Sequence, residues 1–153
     1  MIIGPEQPLV DGLVDDLQLK NINVFGPSAK ASRLEGSKAF SKEFFKKYKI
    51  PTANYATFND IESALDHLKD ISFPTVIKAD GLAAGKGVLI CQTITEGKKA
   101  LEEIFVDNAF GSAGNKVVIE DFLEGEEASF IAVVSGEEII PLATSQDHKA
   151  AYD

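Results

Sequence analysis

The stretch KADGLAAGKGV, residues 78–88, limits the fold more than any other part of the chain. An apolar run, PTVI, leads into it, and a second, VLICQ, begins where it ends. Short runs of this kind, rich in β-branched residues and bounded by Pro and Gly, read as strands. A P-loop needs four residues between its first glycine and its Gly-Lys, and then Ser or Thr, whereas GLAAGKG has three and then Gly87. The segment also departs from G-x-G-x-x-G, and both of those motifs open a helix where a strand follows here. What remains is a glycine flap between two strands. Gly81, Gly85 and Gly87 let the main chain come close to a ligand, and exposed N–H groups in such a turn form an anion-binding concavity.

The company of that flap is acidic overall. The 153 residues carry a net charge of −9, which disfavours nucleic acid and anionic lipid as partners. Hydrophobic residues make up 44% and charged residues 25%, enough apolar side chain for a sizeable core. The single cysteine, Cys91, rules out an internal disulfide and sits in the apolar VLICQ, where a buried thiol is expected. With no basic leader and no run of 18 apolar residues in the sequence, the cytoplasm is the expected compartment.

Periodicity divides the chain near Pro27. Met1 to Ile3 reads as a short strand, Leu9, Leu13, Val14 and Leu17 lie at helical spacing, and residues 21–27 read as the next strand. That is the tail of an α/β crossover unit, which needs further chain to cover its sheet, so the front is expected to be clipped. Residues 28–153 read as α+β with mostly antiparallel pairing. Phe40, Phe44 and Tyr48 form one helical stripe, and a helix from Asn59, with Glu62 as capping-box partner, buries Ile61, Ala64, Leu65 and Leu68. His67 falls off that stripe and is expected in solvent. A helix from Thr95 buries Ala100, Leu101, Ile104 and Phe105, and three strand-like runs follow, with Ser135-Gly136 as the turn between the last two.

Three groups of polar residues could carry chemistry. Lys78 leaves its strand beside the flap, where burial needs an anion; the competing reading is an exposed edge lysine. In VIEDFLEGEEASF, a connector after Glu120 can offer main-chain groups to an adenine edge and a later carboxylate can accept from ribose hydroxyls. A solvated acidic turn fits the same letters. In ATSQDHK, polar side chains cluster after an apolar run, as suits substrate binding, with His148 either a base or a surface histidine. The spacing supports neither a Cys/His metal site nor a Ser-His-Asp triad.

Taken in order, GPEQPLVDGL, VFGPS, LEGSKAF, IPTA, VIKADGLAAGKGV, NAFGSAG, VIEDFLEGEEASF and ATSQDHK resemble the phosphoribosylamine–glycine ligase family over essentially the whole chain. The resemblance implies an ATP-grasp fold, here partial, for residues 28–153, preceded in residues 1–27 by the tail of the pre-ATP-grasp domain. It further implies that Lys38 and Lys78 reach the nucleotide phosphates and that Gly81, Gly85, Lys86 and Gly87 belong to the phosphate-covering loop. Glu120, Asp121, Phe122 and Leu123 resemble the adenine-edge hinge and Glu127 the ribose ligand, while Glu6, Asp147, His148 and Lys149 resemble substrate contacts. The reaction implied joins glycine to 5-phosphoribosylamine with ATP and magnesium in purine biosynthesis, through a glycyl phosphate.

Two departures bear on this. The family usually continues QDHKR, whereas Ala150 follows Lys149 here. The family's magnesium ligands are expected beyond Asp153, so the rest of the enzyme chain is the expected partner. The rival readings are another ATP-grasp carboxylate–amine ligase, against which QDHK and LAAGKG speak, and a non-catalytic nucleotide-binding module. Lacking a metal to screen the phosphate charge, residues 1–153 by themselves are expected to show no ligase activity. ADP release that depends on both glycine and phosphoribosylamine would contradict that.

Overall fold

A computed structural model describes residues 1–83, 87–107 and 109–146. Two compact units emerge, residues 1–122 and residues 123–153.

The first unit opens with the expected parallel pairing, Ile2 with Phe25, although it amounts to a single bridge. The intervening helix is broken. Helix α1 (Glu6–Val10) and helix α2 (Leu13–Leu19) meet at Gly12, whose φ of 91° interrupts the helical path that the spacing of Leu9, Leu13 and Leu17 suggests. Helix α3 (Ala29–Gly36) is capped by Ser28, whose hydroxyl accepts from Ala31 N at 3.3 Å. Helix α4 (Lys38–Tyr48) is capped by Ser37, which accepts from Phe40 N at 3.1 Å.

Four strands form one antiparallel sheet: β1 (Tyr55–Phe58), β2 (Thr75–Ala79), β3 (Val88–Cys91) and β4 (Val117–Asp121), in the order β1-β4-β2-β3. The sequence reading missed β1, because YATF is only four residues long and too short to show a period. Helix α5 (Ile61–His67) and helix α6 (Ile94–Phe105) pack on one face. The cap of α5 is Asp60, not Asn59: its carboxylate accepts from Ser63 N at 2.8 Å, so Ser63 rather than Glu62 stands at the third helical position, where a capping-box partner would be. Helix α6 starts at Thr93, whose hydroxyl accepts from Glu96 N, while Glu96 reaches back to Gln92 N at 2.8 Å.

Alternation along the strands decides what each face does. Ile77 and Ala79 of β2, Cys91 of β3, and Val117 and Ile119 of β4 point toward α5 and α6, and join Ala64, Leu68, Ala100, Leu101 and Ile104 in the core. Cys91 is buried there, as expected, and burial raises its thiol pKa. His67 is half-buried rather than solvated, its ring 5.0 Å from that of Phe58. The sequence pattern hid this because the contact is made across to β1, the strand that was missed.

On the opposite face the register aligns Tyr55, Glu120 and Val76, and then Val118, Lys78 and Val88. Helix α4 lies against β4 on this side. Its aromatic stripe is not its most buried side: Ala39, Ser41 and Lys42 are, while Tyr48 is exposed and Arg33 covers the ring of Phe40 at 3.9 Å. The half of this face built from β2 and β3 is more open, with Val88 and Ile90 exposed by 44% and 55%.

In the second unit, β5 (Ala132–Ser135) and β6 (Glu138–Pro141) form a hairpin. Its turn residues are Gly136 and Glu137, one position later than the sequence suggested, because Ser135 still pairs with Glu138 and the positive φ of 61° falls on Gly136. The pairing resumes at Ser129 and Ser145.

Leu101 is fully buried where α6 meets the sheet. Leu101→Ala should cost ~2–5 kcal/mol in a urea unfolding titration; a loss below ~1 kcal/mol would show that this core does not hold the first unit together.

Candidate functional site

The flap is fastened at both ends by its neighbours. Ala79 N donates to Gly87 O at 2.9 Å, which closes the strand pair, and Asp80 N donates to Lys116 O at 2.9 Å. Gly81 has a φ of 100°, in the region that favours glycine, and a Cβ there would lie 3.2 Å from that of Ala113. At Gly87 a Cβ would come within 2.5 Å of Ala83 Cβ, so this approach also needs a bare backbone.

Helix α4 holds the flap's root from the other side. Asp80 Oδ1 accepts from Ala39 N at 3.0 Å and Asp80 Oδ2 accepts from Ser37 Oγ at 3.1 Å, so a carboxylate from the end of β2 sits at the positive end of the helix. Lys38, the first residue of α4, donates its ammonium to Gly81 O at 2.8 Å. Burial lowers the pKa of Lys38; Asp80 opposes that shift, and Lys78 adds to it. Glu6, Lys38, Gly81, Gly87 and Val88 line one cavity of about 640 Å³. Of the residues singled out by sequence, four are therefore brought together here: Glu6, Lys38, Gly81 and Gly87.

A second group lies on the sheet face beside it. Lys78 pairs in register with Val88, and its ammonium is 3.0 Å from Glu120 Oε1. Glu120 is buried, and its other oxygen is 2.8 Å from the ammonium of Lys42. Lys42 also donates to Thr52 Oγ1 at 2.6 Å. The Glu120 carbonyl accepts from Thr75 Oγ1 at 2.8 Å, so the carboxylate and the main chain of this residue are both engaged by protein. Asp121 is clasped by Asn54: Asp121 N donates to Asn54 O at 3.0 Å and Asp121 Oδ2 accepts from Asn54 Nδ2 at 2.7 Å. Phe122, partly exposed, ends the first unit.

Leu123 and Glu127 belong to the second unit, and both are exposed. Gly85, Lys86, Asp147, His148 and Lys149 lie outside the described residues.

Sequence reasoning missed Lys42 and Asp80. Lys42 stands one helical turn after Lys38, a spacing that places both on one side of α4, but the aromatic stripe drew attention to the other side. Nothing local marks Asp80 as a helix cap, because the amide it serves, that of Ala39 in the first turn of α4, lies 41 positions earlier. Among the described residues no group of three or more His, Cys, Asp or Glu side chains is placed to hold a metal ion. Among them, too, no helix is long and apolar enough to cross a membrane.

What the arrangement offers is specific in kind. Two ammonium groups, at Lys38 and Lys78, stand near the described ends of the flap, the first on Gly81 O and the second in register with Val88, and an apolar strip formed by Val76, Val88 and Ile90 continues along the same sheet face. Replacing Asp80 at the flap's root tests its anchoring. Asp80→Ala should speed hydrogen exchange at the Ala39 amide and cost ~1–2 kcal/mol of stability, while Asp80→Asn, which keeps an acceptor, should lose less; unchanged Ala39 exchange in Asp80→Ala would refute the anchor.

Comparison with known proteins bears on the family and the fold. Residues 36–153 match the phosphoribosylglycinamide synthetase ATP-grasp (A) domain and residues 1–35 match the N domain of the same synthetase. The chain is 55% identical over 152 residues to the phosphoribosylamine–glycine ligase of Pseudomonas syringae, and 54% identical to that of Escherichia coli K12. In each case 99% of this chain is covered but only 35% of the relative, so the chain spans about a third of those proteins' length. Among solved structures, the Thermotoga maritima phosphoribosylamine–glycine ligase superposes with a TM-score of 0.79 at 36% identity, covering 94% of this chain and 34% of that one. The biotin carboxylase domain of a Hydrogenobacter thermophilus 2-oxoglutarate carboxylase, in complex with MgADP, gives a TM-score of 0.75 at 25% identity, covering 94% of this chain and 33% of that one. The chain belongs to the phosphoribosylglycinamide synthetase family and has part of the ATP-grasp fold.

Proposed function

We propose that this chain supplies the nucleotide-binding half of an ATP-dependent ligase that joins glycine to 5-phosphoribosylamine. The observation that carries the reading is Lys38, which lines a cavity of about 640 Å³ together with Gly81, Gly87 and Val88, with Lys78 paired in register to Val88 on the adjoining strand. Such a cavity is of the size that holds a nucleotide-sized ligand. The triphosphate would lie against Lys38, Lys78 and the amides of the loop that contains Gly81, Gly85, Lys86 and Gly87. Its base would rest on the apolar strip of Val76, Val88 and Ile90, on the sheet face that also carries Glu120; for Asp121, Phe122, Leu123 and Glu127 the hinge and ribose roles are proposed from the family resemblance alone. Glu6 shares the cavity with Lys38, which suits a contact to the sugar of phosphoribosylamine; Asp147, His148 and Lys149 complete the acceptor side of the proposal.

In the reaction so assigned, a glycine carboxylate oxygen attacks the γ-phosphorus of ATP, the bond between that phosphorus and the β,γ-bridging oxygen breaks, and ADP leaves. The amine of phosphoribosylamine then attacks the acyl carbon, an amide forms, and phosphate departs with loss of one proton. The chain's own contribution is charge and position. Two ammonium groups and oriented amides offset the negative charge on the transferring phosphoryl group, and no covalent nucleophile is required. Magnesium would add charge of its own when bound, but no step is assigned to it on the residues described. We assign residues 1–27 to the first domain and residues 28–153 to the ATP-grasp domain, a division supported by the parallel bridge at Phe25, while the two family ranges meet between residues 35 and 36.

Calorimetric titration of ATP tests the reading. Binding by the wild-type chain should weaken ~10–100-fold in Lys78→Ala, the loss expected for one charge-assisted contact. The pH dependence has a definite sign. An anion stabilises the charged form of Lys38, so affinity should be full near neutrality and fall as pH rises through the lowered pKa of that lysine, before an ordinary lysine at 10.5 would titrate. Lys38→Met should flatten this limb. A chain that binds no ATP, or binds equally well without Lys78, would overturn the assignment.

A further inference from the structure

Glu120 is shared unequally. Its Oε2 lies 2.8 Å from the Lys42 ammonium, which is itself buried, anchored by Thr52, and 5.7 Å from the centre of the Tyr55 ring. Its Oε1 is 3.0 Å from Lys78, yet among the described residues that oxygen accepts no well-directed hydrogen bond. Lys78 is also the more open of the two lysines, with 26% of its side chain exposed against 9% for Lys42. One carboxylate thus faces two ammonium groups, one tightly held and the other loosely.

A buried carboxylate cannot be left unpaired without a cost of ~3–5 kcal/mol. If Lys78 were the only partner of Glu120, giving it up to a ligand would incur that cost. Lys42 removes it. With Oε2 bound to a fixed ammonium, Glu120 stays neutralised while Lys78 turns to an incoming anion, and the local excess of one positive charge favours that turn. Lys42 is unsuited to the anion itself, because it is buried and its ammonium is already occupied by Glu120 and Thr52.

We infer that Lys42 is a positioning residue for nucleotide binding: by holding Glu120 it releases Lys78 to the phosphate groups. This rests on the proposed nucleotide reading of the same site, and the experiment separates the two. ATP and inorganic tripolyphosphate are titrated calorimetrically into the wild-type chain, Lys78→Ala, Lys42→Met and the double variant Lys42→Met/Glu120→Gln, with folding checked by thermal melting. In folded Lys42→Met, Lys78 is captured by Glu120, so affinity for both ligands should fall about tenfold or more, toward that of Lys78→Ala. In the double variant the neutral amide no longer captures Lys78, and affinity for tripolyphosphate, which has no base to meet the proposed hinge at Glu120, should return to within about threefold of wild type. A purely structural role for Lys42 would lower the melting temperature of Lys42→Met and leave the affinity of the folded protein unchanged.

Should Lys42→Met fail to fold, lysine side-chain NMR signals of the wild-type chain decide the matter. Adding tripolyphosphate should shift the Lys78 signal and leave that of Lys42 in place. Wild-type-like affinity in folded Lys42→Met, no recovery in the double variant, or a shift of Lys42 with Lys78 unmoved would each overturn the inference while leaving the nucleotide reading standing. Absence of binding by the wild-type chain would overturn both.

Discussion

A carboxylate removed from water between two ammonium groups organises the open side of this sheet. Glu120 comes from β4, Lys78 from β2 and Lys42 from α4, so one charge cluster ties a helix to two neighbouring strands. Neither Glu120 nor Lys42 could be buried alone without a large penalty, and with the partly exposed Lys78 the cluster carries one positive charge to spare. That excess lies next to a loop whose backbone is left bare by glycine. The proposed attraction for a multiply charged anion rests on the arrangement of charge rather than on any one residue.

Rigidity on one face makes the other face usable. The core beneath the sheet is apolar throughout, built from short side chains on β2 and β4 against α5 and α6, and it contains no charged group. All polar chemistry is displaced to the opposite face and to the ends of the strands. There α4 does double duty: its buried side reaches Glu120 through Lys42, and its first turn receives Asp80 and sends Lys38 to Gly81. A single helix therefore positions both ammonium-bearing groups and the root of the flap.

Much of this was legible in the letters. The strand–flap–strand unit, the outward direction of Lys78, the buried Cys91 and the antiparallel character of the sheet all follow from period and from glycine placement. So did the family, through ordered blocks of sequence. Elements whose cause is distant were not legible. Strand β1 exists because β4 lies beside it, not because YATF is a strong strand former. His67 is half-buried because Phe58 of that strand comes to meet it, and Gly12 splits a helix that its apolar spacing would have continued. Lys42 reads as one more surface lysine until its partner, 78 positions away at Glu120, is in view. Local pattern reports a side chain's preference for water; it does not report a tertiary partner that reverses the preference.

A structure of this chain with a non-hydrolysable ATP analogue is the most direct test of the account. The account predicts phosphate oxygens within hydrogen-bond reach of Lys38 and Lys78, the base on the strip of Val76, Val88 and Ile90, and Lys42 still paired with Glu120. An analogue seated on the α5 and α6 side of the sheet, or one whose phosphates leave Lys78 on Glu120, would contradict it.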